Sequence, residues 1–196
     1  MHFSELLGKS AGIVGFVALI PYVRSILQGK TKPNRASWLI WAAVSLSLLA
    51  SYHYSGATTT IWLTISYTVI PLTVFLLSLK YGTGGYTRLD IVCILGAITG
   101  LVLWRITHNP VTALYLNIFV DALGFLPTIK KAYLTPDSEN KLAWSISVAA
   151  NVLNVCALTT WQLKIALFPV YNLAFNALVT VLLLGVVKRK RLSNNH

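Results

Sequence analysis

Charge is what this chain has least of. Asp, Glu, Lys and Arg make up 11% of its 196 residues, where a soluble domain carries about 25%. A soluble fold could bury some of the apolar excess, but not in uninterrupted blocks of about 20 residues, each long enough to cross a hydrocarbon core. Such blocks recur along the whole sequence. Cysteine is nearly missing too. Cys93 and Cys156 lie inside apolar blocks, far from CxxC spacing and without His neighbours, and read as small buried apolar residues. HExxH, GxSxG and P-loop motifs are absent, and His2, His53, His108 and His196 sit on different segments, outside the blocks or at their ends. The loops are too short to house a soluble catalytic domain. The expectation is a chain that is not an enzyme and uses no metal and no cofactor. No basic region precedes the first apolar stretch and no A-x-A pattern follows it, so that stretch reads as an uncleaved helix.

The net charge of +11 points first to nucleic acid. Its placement excludes that partner, because the basic residues sit at block ends with no interleaved aromatic–basic surface to track phosphates. Juxtamembrane Lys and Arg instead fix orientation against an anionic leaflet.

Seven blocks follow one another: Leu6–Leu27, Ala36–Tyr54, Thr58–Leu79, Leu89–Thr107, Pro110–Leu134, Leu142–Thr160 and Leu163–Val187. Unpaired backbone groups are not tolerated in lipid, and the blocks lack the alternation of barrel strands, so each predicts a helix. With alternating direction, one side holds Arg24, Lys30, Lys32, Arg35, Lys80, Arg88, Lys130, Lys131, Lys141, Lys188, Arg189, Lys190 and Arg191. The other holds Lys9, Arg105 and Lys164, a partition of 13 against 3. The heavy side predicts a cytoplasmic carboxyl terminus and an outside amino terminus, in a cell (inner) membrane. Trp38 and Trp144 near the cytoplasmic ends, with Trp62, Trp104 and Trp161 at the outer ends, read as interfacial belts. Trp41 sits a turn deeper.

The first three blocks resemble the last three. A shift of 106 residues places Pro21 on Pro127, Asn34 on Asn140, Arg35 on Lys141, Trp38 on Trp144, Ile40 on Ile146 and Ala43 on Ala149; after a two-residue gap Tyr67 falls on Tyr171. Three helices reverse direction, and the fourth restores it, so the expected halves are parallel repeats. The expected organisation is an all-α integral membrane fold of seven helices in a 3+1+3 arrangement. Residues 1–81 form the first triple-helix repeat, 82–108 the linker helix, 109–187 the second repeat and 188–196 a basic tail. Gly96-x-x-x-Gly100 gives helix four a smooth face, either for packing within the chain or for a dimer seam.

This layout, with a proline late in the first helix of each half, resembles the SWEET and PQ-loop (MtN3-like) transporter superfamily. The chain is similar to a divergent bacterial-type member, with Tyr22 and Thr128 where the signature has Gln. The second and sixth helices lack the prolines of SWEET proteins; Pro71 and Pro169 lie in helices three and seven instead. The resemblance implies the fold and a transport role, but no sugar specificity. It also implies that Pro21 and Pro127 are hinges of an inner gate; a static kink is the other reading of a proline inside a helix.

Asp121 is the only acid deep within a block, near mid-membrane, with Asn117 one turn before it. A carboxyl there must face the bundle interior or water, and it predicts proton coupling or solute binding. Asn151 and Asn154 in helix six, and Asn172 and Asn176 in helix seven, cluster at similar depth. Ser45 matches Asn151 in the first half and Thr68 matches Asn172. With Trp41, Tyr67 and Tyr171 these residues outline a polar cavity. No Lys or Arg lies deep in any block, so the expected solute is a small neutral or cationic polar molecule. Asp90 beside Arg88 reads as a helix-dipole partner. The expected function is a facilitator or proton-coupled carrier in the lipid bilayer, working by alternating access on a sugar, amino acid or nucleoside. A vitamin carrier of nucleoside type is a close relative of that reading. A receptor or assembly partner of the same fold, as the KDEL receptor exemplifies, is its rival.

Overall fold

With no water to bond it in hydrocarbon, the backbone of an apolar block closes on itself as a helix. The computed structural model describes residues 3–107 and 109–185, without the side chains of residues 104, 107 and 110. Within it run seven α-helices: α1 Phe3–Leu27, α2 Arg35–Tyr54, α3 Ile61–Tyr81, α4 Arg88–Thr107, α5 Pro110–Leu134, α6 Lys141–Cys156 and α7 Leu163–Leu184. A 3-10 turn at Pro136–Ser138 precedes α6, and the described residues form no strand beyond an isolated Asn34–Thr83 bridge. Helices α1, α2, α3, α5 and α7 are long and apolar enough to cross a membrane, and the protein is membrane-embedded. His2, His108, His196, the Trp104 side chain and the basic tail 188–196 lie outside the described residues.

Asparagines start three of the helices. Asn34 Oδ1 accepts from Ser37 N at 3.0 Å, Asn140 Oδ1 from Ala143 N at 2.8 Å and Asn109 Oδ1 from Val111 N at 2.9 Å. Each satisfies an amide that the helix cannot, at about 1 kcal/mol per cap. Asn34 and Asn140 are the pair aligned by the 106-residue shift. Asp90 accepts from Gly85 N at 2.8 Å and Thr87 N at 3.0 Å. It therefore ties down the turn that begins α4, a more specific job than facing the helix dipole.

Helix α6 ends earlier than the apolar block does. It spans 16 residues, about 24 Å of rise, and leaves helical geometry at Ala157 rather than at Thr160. The Ala157 carbonyl accepts from Thr59 Oγ1 at 2.7 Å, so the loop before α3 takes the group that another turn would have used. Cys156, expected to be buried, is exposed on this last turn; Cys93 is buried against Val120.

Helix α1 packs against α3 and α6, α2 against α3 and α5, α7 against α5 and α6, and α4 lies over α5 with a lighter contact to α2. The α1–α3 seam is lined by glycines. A Cβ on Gly12 would stand 2.8 Å from the Trp62 carbonyl oxygen, one on Gly15 2.7 Å from a Leu63 methyl, and one on Gly8 would overlap the Thr59 carbonyl. Ser66 Oγ donates to the Gly12 carbonyl at 2.7 Å across this contact, the small-residue packing expected between helices in lipid. On α4 the smooth face of Gly96 and Gly100 is covered by Leu123 and Val120 of α5, so the chain fills it by itself. The opposite face shows Val92, Leu95, Ile98 and Val102, all more than half exposed, an apolar stripe suited to lipid.

A Gly12→Leu substitution forces overpacking at this seam and should cost about 1–3 kcal/mol. Thermal unfolding of the detergent-purified protein should show a lower midpoint for Gly12→Leu, while lipid-facing Ile98→Leu leaves it in place.

Candidate functional site

The described basic loops gather at one end of the bundle. There Lys32 N donates to Ser138 O at 3.0 Å, Arg35 Nε to Ser78 O at 3.1 Å and Thr83 N to Pro33 O at 2.8 Å. Between this basic end and the opposite, far end lies a cavity of about 90 Å³, room for roughly six waters. Six helices line it, all but α4. Ala18, Leu19 and Tyr22 come from α1, Trp38 and Trp41 from α2, and Tyr67, Ile70 and Pro71 from α3. Asp121 and Phe125 come from α5, Ala143, Trp144 and Ser147 from α6, and Asn172 and Asn176 from α7.

Helical spacing explains the α2 wall. Trp38 and Trp41 are three apart and share a face, with rings edge-on at 5.0 Å. Trp41 Nε1 donates to the Asp121 carbonyl at 3.0 Å. The indole stands close over Gly124, where a Cβ would meet Nε1 at 2.5 Å. Stacked rings continue from Tyr22 through Trp38, Trp41, Phe125, Phe175, Tyr171 and Phe168 to Tyr52, with successive centroids 4.8–5.8 Å apart. Trp38 and Trp144, expected in an interfacial belt, are instead buried walls of the cavity. They point inward because the matching faces of α2 and α6 meet α5 and α1 across the bundle. Trp62 and Trp161 are exposed, as a belt requires.

The polar groups divide into bonded and free. Tyr171 Oη donates to Asp121 Oδ2, while Asp121 Oδ1 has no donor among the described residues. Asn176 Nδ2 donates to Asn172 Oδ1 at 2.7 Å and to the Asn172 carbonyl at 2.9 Å. This leaves the Asn172 amide nitrogen and the Asn176 amide oxygen available to a solute. Among the described residues, no Lys, Arg or His lines the space.

Other expected site residues sit nearby but off the wall. Asn151 Nδ2 donates to Tyr67 Oη at 2.7 Å, and so holds the Tyr67 ring in place. Asn154 is fully buried with both amide atoms unbonded, as are Asn151 Oδ1 and Thr64 Oγ1. Ser45 bonds within its own helix, to Ala42 O at 3.2 Å. Pro21 and Pro127 lie inside α1 and α5. The residues after them bond across the bundle: Tyr22 Oη to Glu139 Oε2 at 2.8 Å, and Thr128 Oγ1 to Ser37 Oγ at 2.8 Å.

The basic end holds a network that the sequence did not announce. Besides Tyr22, the Glu139 carboxylate accepts from Trp144 Nε1 at 3.1 Å and Lys131 Nζ at 2.5 Å. Lys131 also donates to the carbonyls of Lys32 and Ser138. The carboxylate is fully covered, with 1% of its side chain exposed. Glu139 stands in a loop one residue before a helix cap, where an acid usually faces water; here Tyr22 of α1, Lys131 of α5 and Trp144 of α6 close over it. The far end is sealed by Leu48, Tyr52, Ala57, Leu114, Ile118, Ile165 and Phe168, with Tyr52 Oη donating to the Ile165 carbonyl at 2.9 Å.

Compared with family models, curated proteins and solved structures, the chain matches none.

Removing one partner of a buried ion pair strands the other charge, at about 3–5 kcal/mol. Lys131→Met should therefore destabilise strongly. Adding Glu139→Gln to it should recover a large part of the loss, as a double-mutant cycle by thermal unfolding would read.

Proposed function

We propose that this chain is a non-enzymatic membrane transporter that moves a small polar solute by alternating access, built as two triple-helix halves joined by α4. The carrying observation is the central cavity, with polar groups left unbonded inside and hydrogen-bonded contacts between the halves toward either end. The paired architecture has its own support. Exchanging α1, α2 and α3 for α5, α6 and α7 turns the α1–α6 contact into α5–α2, α1–α3 into α5–α7 and α2–α3 into α6–α7, each of which occurs. Such interchange is what parallel repeats about an axis along the membrane normal require. The matched caps Asn34 and Asn140, and the matched cavity walls Trp38 and Trp144, add to it. The same pairing agrees with the SWEET and PQ-loop resemblance; seven spans, with the basic end cytoplasmic in a cell membrane, rest on the block lengths and the charge partition of the sequence.

In this mechanism the solute sits against Asn172, Asn176, Trp41 and Tyr67. Opening the basic end breaks the Tyr22–Glu139 bond between the halves, and α1 swings on Pro21 as α5 swings on Pro127. Opening the far end breaks the Tyr52–Ile165 and Thr59–Ala157 bonds instead. Keeping one seal while the other parts is what separates a carrier from a pore. A receptor of the same fold would hold its ligand without opening the second seal.

Purified protein in liposomes should show counterflow of a labelled solute from a panel of sugars, amino acids, nucleosides and amines. Asn176→Leu, at the loss of one hydrogen bond of about 1 kcal/mol, should lower the apparent affinity about fivefold. Flux of none of these solutes, with proton flux unchanged by Asp121→Asn, would end the transport reading.

A further inference from the structure

Asp121 stands alone in its charge. The other buried acids are answered: Glu139 by Lys131, and Asp90 by the amides of its turn. Asp121 lines the cavity; its Oδ2 takes the Tyr171 hydroxyl, and its Oδ1 has no donor among the described residues. Around it are aromatic walls, Trp41 and Phe125 with centroids 4.8 Å apart and Trp38 beyond. The cation–π pairs present in the structure, Lys9 with Trp62 and Lys80 with Tyr81, involve other rings. A carboxylate without a basic partner inside a bundle has two ways to be neutralised: a proton, or a cation from outside. Ring faces attract the second as well.

We propose that the solute is a small monovalent organic cation, an ammonium head with a hydroxylated tail, which replaces a proton on Asp121. The head sits between Asp121 Oδ1 and the ring of Trp41. The tail hydroxyl meets the free amide atoms of Asn172 and Asn176. When the cation enters, the Oδ1 proton leaves to water, so charge balances one for one. Carriage would then be electroneutral exchange of organic cation for proton.

The other titratable groups around the site do not supply a competing charge. Tyr171 of α7 is already the donor to Oδ2, and Tyr67 of α3 is bonded to Asn151. Tyr22 of α1 is bonded to Glu139, itself paired with Lys131, and α6 adds only Ser147 and Trp144. Helix α2 contributes Trp38 and Trp41, and the α4 thiol Cys93 packs against Val120.

This inference rests on the transport reading for its consequence but not for its binding test. Choline and its uncharged carbon isostere, dimethylbutanol, are titrated onto the detergent-purified wild-type protein. Tryptophan fluorescence is followed, with calorimetry in buffers of different ionisation enthalpy. Choline should bind at least about tenfold tighter than the isostere, with close to one proton released per choline in weakly acid buffer. Asp121→Asn, checked for a monodisperse elution profile, should abolish the preference and the proton release, while Asp121→Glu retains both. Equal binding of the two probes, binding of neither, or choline binding without proton release overturns the proposal. In liposomes, counterflow of a neutral solute without choline selectivity would sink the cation site and leave the carrier standing. Choline binding with proton release but no counterflow of any solute would do the reverse.

Discussion

A peptide backbone in hydrocarbon has no water to bond, and neither has a buried side-chain amide or carboxyl. That constraint orders the rest of this molecule. It makes every apolar block a helix, and it sends each polar side chain toward a seam between helices. There the partners wait: Ser66 on the Gly12 carbonyl, Thr59 on the Ala157 carbonyl, Trp41 on the Asp121 carbonyl and Tyr52 on the Ile165 carbonyl. Several of these bonds use a backbone carbonyl as acceptor, and they tie helices distant in sequence without adding charge.

Against that background the unbonded groups gain meaning. Asp121, Asn172 and Asn176 line the same cavity from α5 and α7, with Asp121 Oδ1, the Asn172 amide nitrogen and the Asn176 amide oxygen unbonded among the described residues. A second group, Thr64, Asn151 and Asn154, is buried without partners at the α3–α6 side. Thr64 is three residues from Tyr67, and Asn154 three from Asn151, so both lie about one turn toward the far end from the Tyr67–Asn151 bond. Polarity thus continues from the cavity toward the far seal, where a purely structural core would have been apolar.

The two seals differ in chemistry. The basic end is held by an ion pair and its hydrogen-bond donors, all converging on Glu139. The far end is held by apolar packing around Tyr52 and Phe168 with neutral hydrogen bonds. Opening the first parts directional, charge-assisted bonds; opening the second exposes apolar surface. On the proposed transport reading, such unequal ends would differ in their cost of opening.

Much of this was written in the sequence. Block length marked the helices, Asn34 and Asn140 their starts, and the depth of Asp121, Asn172 and Asn176 the level of the cavity, because rise per residue is fixed once a helix is granted. Rotation about each helix axis is not fixed that way. Trp38 and Trp144 have the depth of belt residues and the orientation of cavity walls. Cys156 has the composition of a buried residue and the position of an exposed one. Gly8, Gly12 and Gly15 line the α1–α3 seam, although Gly96 and Gly100 have the more familiar spacing. Tyr22 lies 117 residues from Glu139 along the chain, and its union with the Lys131–Glu139 pair depends on how α1 folds back over the loop before α6. The one-dimensional pattern determined which segments are helices and how far along each helix a residue sits. Only helix-on-helix packing decided which way each side chain faces, because neighbours rather than sequence spacing set the rotation of a helix in a bundle.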